Sequence, residues 1–235
     1  METISITLSR ATSNIRTSIY PPIKLDPNKR HEMALIRLET YNSIPNIEEN
    51  NNIIRYEINE ETYEIVIPTG AYELSQINEV IQSKLNHPNA FEILSNNNTL
   101  KSIIRINETG VKVHFNHENS MKDLLGFNSE TVEGMGEHEG SNIVNILKVN
   151  SIFVNCDLVS GSFVNGSHEP VLYSFFPNVP PGYKVIETPG SPVYLPVSQN
   201  HIESIRLWLT DQDRNVINLR GETLTCWLVI RSLNI

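Results

Sequence analysis

Cysteine is almost missing from the chain: Cys156 and Cys226 are the only two, seventy residues apart, each inside an alternating apolar segment. That setting excludes a disulfide framework and a thiolate metal site, and leaves buried, reduced thiols. Long apolar runs are missing too, since none approaches the roughly eighteen residues of a membrane-spanning helix. The opening METISITLSRATSN has neither a basic start nor the apolar stretch of a secretory signal. A soluble protein made in the cytosol is the expectation, in which the sequons at Asn97, Asn107 and Asn165 carry no glycan. Basic residues are scarce, 18 against 27 acidic ones, for a formal charge of −9 and a pI near 5.3. This excludes a protein that coats nucleic acid over its whole surface.

The deficit of positive charge is uneven. Residues 1–30 hold Arg10, Arg16, Lys24, Lys29 and Arg30 against Glu2 and Asp26, which makes this stretch +3 and the rest −12. The expectation is a basic N-terminal arm over 1–30, with Arg10, Arg16 and Lys24 as its contact residues, ahead of one acidic domain over 31–235.

Catalytic signatures are absent as well. Gly161 and Gly166 have P-loop spacing, but Ser167 stands where the phosphate-binding lysine belongs. Gly134, Gly136 and Gly140 are mis-spaced for a dinucleotide fingerprint. His31-Glu32 and His138-Glu139 lack the second histidine of HExxH, and no serine sits in G-x-S-x-G. No pair of residues stands out for catalysis, and no cofactor is implied; the reading is not an enzyme.

What is present is period-two alternation in short segments broken by Gly, Pro, Asn and Asp. Ala34, Ile36 and Leu38 alternate with Arg37 and Glu39; Ile54, Tyr56 and Ile58 with Arg55 and Glu57. The pattern continues through Val111 to Phe115, Ile152 to Leu158, Ile205 to Leu209 and Leu224 to Ile230. In SQINEVIQSKL the apolar residues Ile77, Val80, Ile81 and Leu85 instead recur at helical spacing, predicting a helix over 75–86 with Ser75 as N-cap. MKDLLGF reads as a single helical turn closed by Gly126. EGMGEHEGSN, residues 133–142, has almost nothing to bury and reads as an exposed flexible loop, the best place for a boundary.

Two segments raise questions of binding. DQDRNVINLRGE places Asp211, Asp213, Asn215 and Glu222 at positions one, three, five and twelve of an EF-hand loop. The loop fails the remaining tests: Val216 stands where the turn glycine belongs, Asn218 where an apolar residue belongs, and the flanks alternate like strands. A hairpin turn whose Asp and Asn side chains bond their own backbone is the better reading, with no metal. The second segment, residues 175–197, combines six prolines with many apolar groups. Such a stiff apolar loop either packs on its own sandwich or forms a pre-organised interface, for which Pro180, Pro181, Tyr183 and Val185 are the candidates.

The runs VNSIFVNCDLVSGSFVNG, LYSFFPNVPPGYKVIETP, VYLPV and IESIRLWLTDQDRNVINLRGETLTCWLVIR, with IPTGAYELSQINEVIQSKL and LLGF ahead of them, resemble the penton-type minor capsid proteins of Polinton/Maverick elements, adintoviruses and virophages. The resemblance covers most of residues 33–231. It implies an all-β fold: a single jelly roll of about eight antiparallel strands in two sheets, with one or two short helices in its connections. It further implies a virion subunit that forms a homopentamer and docks to a double jelly-roll major capsid protein, its basic arm making a weak nucleic-acid contact. The rival from another class is a cellular β-sandwich module for carbohydrate or peptide, including a capsid gene kept by a host. For that reading Trp208 and Trp227 are the residues to examine, as outward positions beside Leu207 and Leu228.

Overall fold

The computed structural model describes residues 3–146 and 148–233. The chain opens with three strands, β1 (Thr3–Arg10), β2 (Asn14–Lys24) and β3 (Arg30–Tyr41). It then enters a second compact unit, residues 45–148, holding β4 (Ile53–Ile58), β5 (Glu61–Val66), α1 (Leu74–Lys84), β6 (Phe91–Asn96), β7 (Lys101–Ile106), β8 (Lys112–His114), α2 (Lys122–Leu125), β9 (Thr131–Glu133) and β10 (Gly136–Glu139). From residue 149 it returns to the first unit with β11 (Ile152–Cys156), β12 (Ser162–Val164), β13 (Ser167–Glu169), β14 (Val171–Phe175), β15 (Lys184–Glu187), β16 (Leu195–Pro196), β17 (His201–Thr210) and β18 (Leu224–Leu233).

The first unit is a jelly roll. One sheet has the order β1-β18-β3-β15, with β16 also on β3, and the other β14-β11-β17-β2, all pairs antiparallel. Along the chain, successive strands mostly change sheet, the crossing pattern of two interlocked Greek keys. The alternation read from sequence supplies the core. Ile6, Leu8, Leu35, Leu38, Leu228 and Ile230 come from one sheet, and Ile15, Val154, Ile205, Leu207 and Leu209 from the other, all buried in one apolar cluster. Each such side chain contributes roughly 1.5–3 kcal/mol when taken from water. Cys156 and Cys226 belong to the same cluster as free thiols; burial pushes Cys156 up to about 12 and raises Cys226 as well.

At one side of the sandwich the edge strands β14 and β15 are joined by side chains. Tyr173 donates its hydroxyl to Glu187 Oε1 at 2.7 Å. Burial, then that hydrogen bond, pushes the phenol up to about 12, so it stays protonated and donating far above neutral pH.

The second unit has its own core. The sheets β5-β4-β8-β9 and β10-β7-β6 share a cluster with α1 that includes Ile54, Tyr56, Ile77, Ile81, Phe91, Ile104, Val113 and Phe127. The helix begins slightly earlier than its spacing predicts. Glu73 rather than Ser75 is the N-cap, because its N–H is taken by the Gln76 side chain at 2.9 Å, closing a capping box. The turn α2 ends on Gly126 at φ 74°, where an added Cβ would meet the Asn142 carbonyl oxygen at 2.4 Å.

Three expectations of organisation are corrected. Residues 1–30 are not an arm: β1 and β2 fill most of them, each an edge strand of its sheet, so the jelly roll comprises residues up to 44 and from 149 onward. The body is not one domain, since residues 45–148 form a separate unit within the connection between β3 and β11. Residues 133–142 are not a loop boundary, because β10 pairs with β7, and Arg105 binds Glu137 at 2.6 Å while Lys101 meets Glu139 at 4.0 Å. Charge that looked unburiable is neutralised across strands. Among the described residues no helix is long and apolar enough to cross a membrane.

Candidate assembly surface

The proline-rich segment runs along β3. Its first part is held by Asn42, whose side chain donates to Val179 O at 2.7 Å and whose backbone exchanges bonds with Tyr183 O at 2.9 Å and Gly182 N at 2.7 Å. This clamp delivers the chain into β15, which pairs Lys184 with Tyr41 and Ile186 with Glu39. Strand β15 alternates, so Val185 points into the core at 3% exposure while Ile186 stands outward at 51%. Val185 is thereby corrected as an interface residue, because its side chain is spent on the fold. Pro180 and Pro181 are exposed, and so is Tyr183. Tyr41, Lys184, Glu39 and Ile186 share the outer face of this sheet edge. Glu39 binds Lys184 at 2.6 Å and also pairs with Arg37; the Lys184 hydrogen bond is the main cause that holds its carboxyl below the ordinary range. The result is an outer face on which Tyr41 and Ile186 stand beside Glu39 and its two cations, with the exposed Tyr183 next to them at the start of β15.

Farther along the segment, β16 pairs with Met33 and Glu32 of β3. Tyr194 lies under the Arg231 guanidinium, 3.5 Å from its ring centre, and Arg231 binds Glu32 at 2.8 Å. This end of the segment packs on its own sandwich; the Tyr183 end displays apolar groups.

The outer faces carry the tryptophans. Trp227 lies beside Ser5, Ile36, Arg37 and Val229 around a shallow depression of about 320 Å³, and Arg37 stacks on its ring at 5.5 Å. Trp208 is covered by Arg206 at 4.5 Å, a guanidinium that also binds Asn14 Oδ1 at 3.0 Å. Both indoles stand at outward strand positions, as their spacing suggested, and each has one face occupied by an arginine.

The three basic positions are not brought together. Arg10 ends β1 in one sheet, whereas Arg16 and Lys24 lie on β2 in the other, opposite Arg206 and His201. The run of basic residues in sequence is therefore spread over two sheet edges.

Asp211 is 5% exposed and serves its own turn. Its carboxylate accepts from the N–H of Asp213 at 2.9 Å, the N–H of Asn215 at 2.8 Å and the Asn215 side chain at 3.0 Å. Asp213 and Asn215 thus donate to Asp211 instead of standing beside it as ligands. Glu222 follows a turn in which its N–H donates to Leu219 O at 2.9 Å. Among the described residues no cluster of three His, Cys, Asp or Glu side chains could hold a metal ion. Asp211→Ala strands two backbone donors and is expected to cost about 2 kcal/mol. Thermal unfolding with and without millimolar calcium checks this, with the same midpoint expected in both for the unaltered protein.

No family model and no curated protein matches the chain. Among solved structures it is similar to the crystal structure of the selenomethionine-labelled mavirus penton protein, with 11% identity and a TM-score of 0.53. The likeness covers 99% of this chain and all of that one. At that identity it shows a shared penton-like fold.

Proposed function

We propose that this chain is a penton-like capsid subunit, resident in the virion, which associates with copies of itself into a ring of five and docks to a double jelly-roll major capsid protein. The observation that carries the reading is the fold: a five-stranded and a four-stranded antiparallel sheet in the jelly-roll order, interrupted by a second unit, and similar over nearly the whole chain to a mavirus penton protein. The ordered likeness of the later segments to Polinton, adintovirus and virophage pentons supports the same role. Self-assembly asks for complementary surfaces and no reacting group.

In a ring, every contact is heterologous, so one flank of a subunit fits a different flank of the next. The patch formed by Tyr41, Tyr183 and Ile186, with Pro180 and Pro181 beside it, is the flank best suited to lose water. These three side chains are 45%, 64% and 51% exposed, and the Asn42 clamp has already fixed the loop that presents them. Tyr183→Asp combined with Ile186→Asp is expected to weaken ring formation more than tenfold and leave the unfolding midpoint within a few degrees. Analytical ultracentrifugation and negative-stain microscopy read the first, circular dichroism the second. A protein that never forms rings at high concentration, even with its capsid partner added, would sink the reading.

The covered tryptophans weigh against the rival binding module. A sugar stacking on Trp208 or Trp227 has first to displace a guanidinium from that face.

A further inference from the structure

Besides the two-residue β16, which ends in a proline, the jelly roll has four edge strands, and three of them are guarded against pairing with another chain. The β2 ladder with β17 is broken between Ile202 and Ser204, so that Ile19 to Pro22 leave the pairing and Tyr20 stands 95% exposed before two prolines. Strand β14 has five residues between Pro170 and Pro177. Strand β15 has four, with a lysine and a glutamate at its ends. Short length, proline and charge are the ordinary means of blunting an edge.

Strand β1 is eight residues long and has only its last residue, Arg10, by way of such a guard. Its register with β18 is unbroken from Thr3 opposite Arg231 to Arg10 opposite Leu224, and its sequence TISITLSR carries no proline, glycine or charge before Arg10. Among the described residues β18 is its one strand partner, which leaves the other side of β1 as a row of open backbone donors and acceptors.

The occupant can be read from the strand itself. Hydroxyl side chains stand at 3, 5, 7 and 9 and aliphatic ones at 4, 6 and 8, so the pattern is symmetric about Ile6. Laid antiparallel against a second β1 with Ile6 facing Ile6, Ile4 meets Leu8 and Leu8 meets Ile4 on the core side. On the outer side Ser5 meets Thr7 and Thr3 meets Ser9. Aliphatic always meets aliphatic and hydroxyl meets hydroxyl, the cross-strand pairs that stabilise a sheet. Ile4, half-buried at the open rim of the sandwich, gains cover from Leu8 of the second copy.

We infer that β1 pairs with β1 of a second copy across a twofold axis and joins the two five-stranded sheets into one. The contact is isologous, so it cannot lie between neighbours of a ring of five; it links copies from different rings or free in solution. It is independent of the ring reading.

Two variants test it. Ser5→Cys with Thr7→Cys puts cysteines opposite each other in this register, and the native thiols are buried, so mild oxidation is expected to give a covalent dimer that stays below a few per cent with either single variant. Ser5→Lys with Thr7→Lys sets lysine against lysine at outward positions and is expected to weaken the concentration-dependent dimer at least tenfold in sedimentation velocity, with the unfolding midpoint kept. An uncross-linked double cysteine, or a dimer indifferent to the lysine pair, overturns the inference. Run on the Tyr183→Asp, Ile186→Asp background, the cross-link is expected to survive loss of the ring. A ring without the cross-link therefore refutes the β1 contact alone, and a cross-link without rings in the native protein refutes the ring alone.

Discussion

Replacing residues 45–148 by a short glycine-serine linker is expected to leave a jelly roll that folds by itself, and residues 45–148 expressed alone are expected to fold as well. Each piece holds its own buried cluster. Each also ties down its cut ends. In the second unit, Asn46 donates to Tyr72 O at 2.7 Å and Ile146 O at 3.2 Å, and Lys148 meets Glu48 at 3.8 Å, so both ends of the piece lie together. In the jelly roll, Ser43 donates to Leu219 O at 2.7 Å, Asn150 N–H to Gln212 Oε1 at 2.9 Å, and Ile44 and Val149 pack on the core. A linker that spans neighbouring anchored ends adds little closure entropy, since doubling a loop costs only about 0.6 kcal/mol. Calorimetry on the intact chain is expected to show two transitions, and each piece one of them. An excised jelly roll that precipitates or lacks near-ultraviolet dichroism would mean that the units depend on each other.

The second large effect separates the units by single substitutions. Phe91 is fully buried and lies 5.5 Å from the Tyr56 ring, which itself stacks on Tyr63 at 5.1 Å. Phe91→Ala removes one end of that aromatic group, leaves a cavity beside Tyr56, and is expected to cost about 3–5 kcal/mol. Leu228 is equally buried in the jelly roll, and Leu228→Ala is expected to cost about 2–5 kcal/mol. With independent units, Phe91→Ala lowers the transition of residues 45–148 alone and Leu228→Ala lowers the other alone. Calorimetry in which either substitution moved both transitions equally would contradict two separate cores.

Strand identity was largely legible because burial follows a period of two. Ile205, Leu207 and Leu209, and Leu224, Cys226, Leu228 and Ile230, are all core residues, as their alternation requires. The division into units was not legible, because Ile54, Tyr56 and Ile58 alternate in the same way as the jelly-roll strands and no linker composition marks residues 44 or 149. The N-terminal strands were hidden by charge: Arg10 and Arg16 sit at exposed positions of strands whose Ile6, Leu8 and Ile15 are buried. The acidic stretch 133–142 gave no local sign of order because its partners, Lys101 and Arg105, lie more than thirty residues away. At the proposed surface, prolines and apolar residues drew attention to the segment, but only the β15 pairing separates Val185, turned inward, from Ile186, turned outward. The turn at Asp211 was readable because side chains that bond their own backbone need nothing from elsewhere in the chain.

The two thiols give the protein a built-in gauge. Both belong to the jelly roll and the chain has no others, so a sulfhydryl reagent meets nothing until that sandwich opens. The rate at which such a reagent is consumed therefore clocks the breathing of one half of the molecule, while the other half, which carries no cysteine, stays silent.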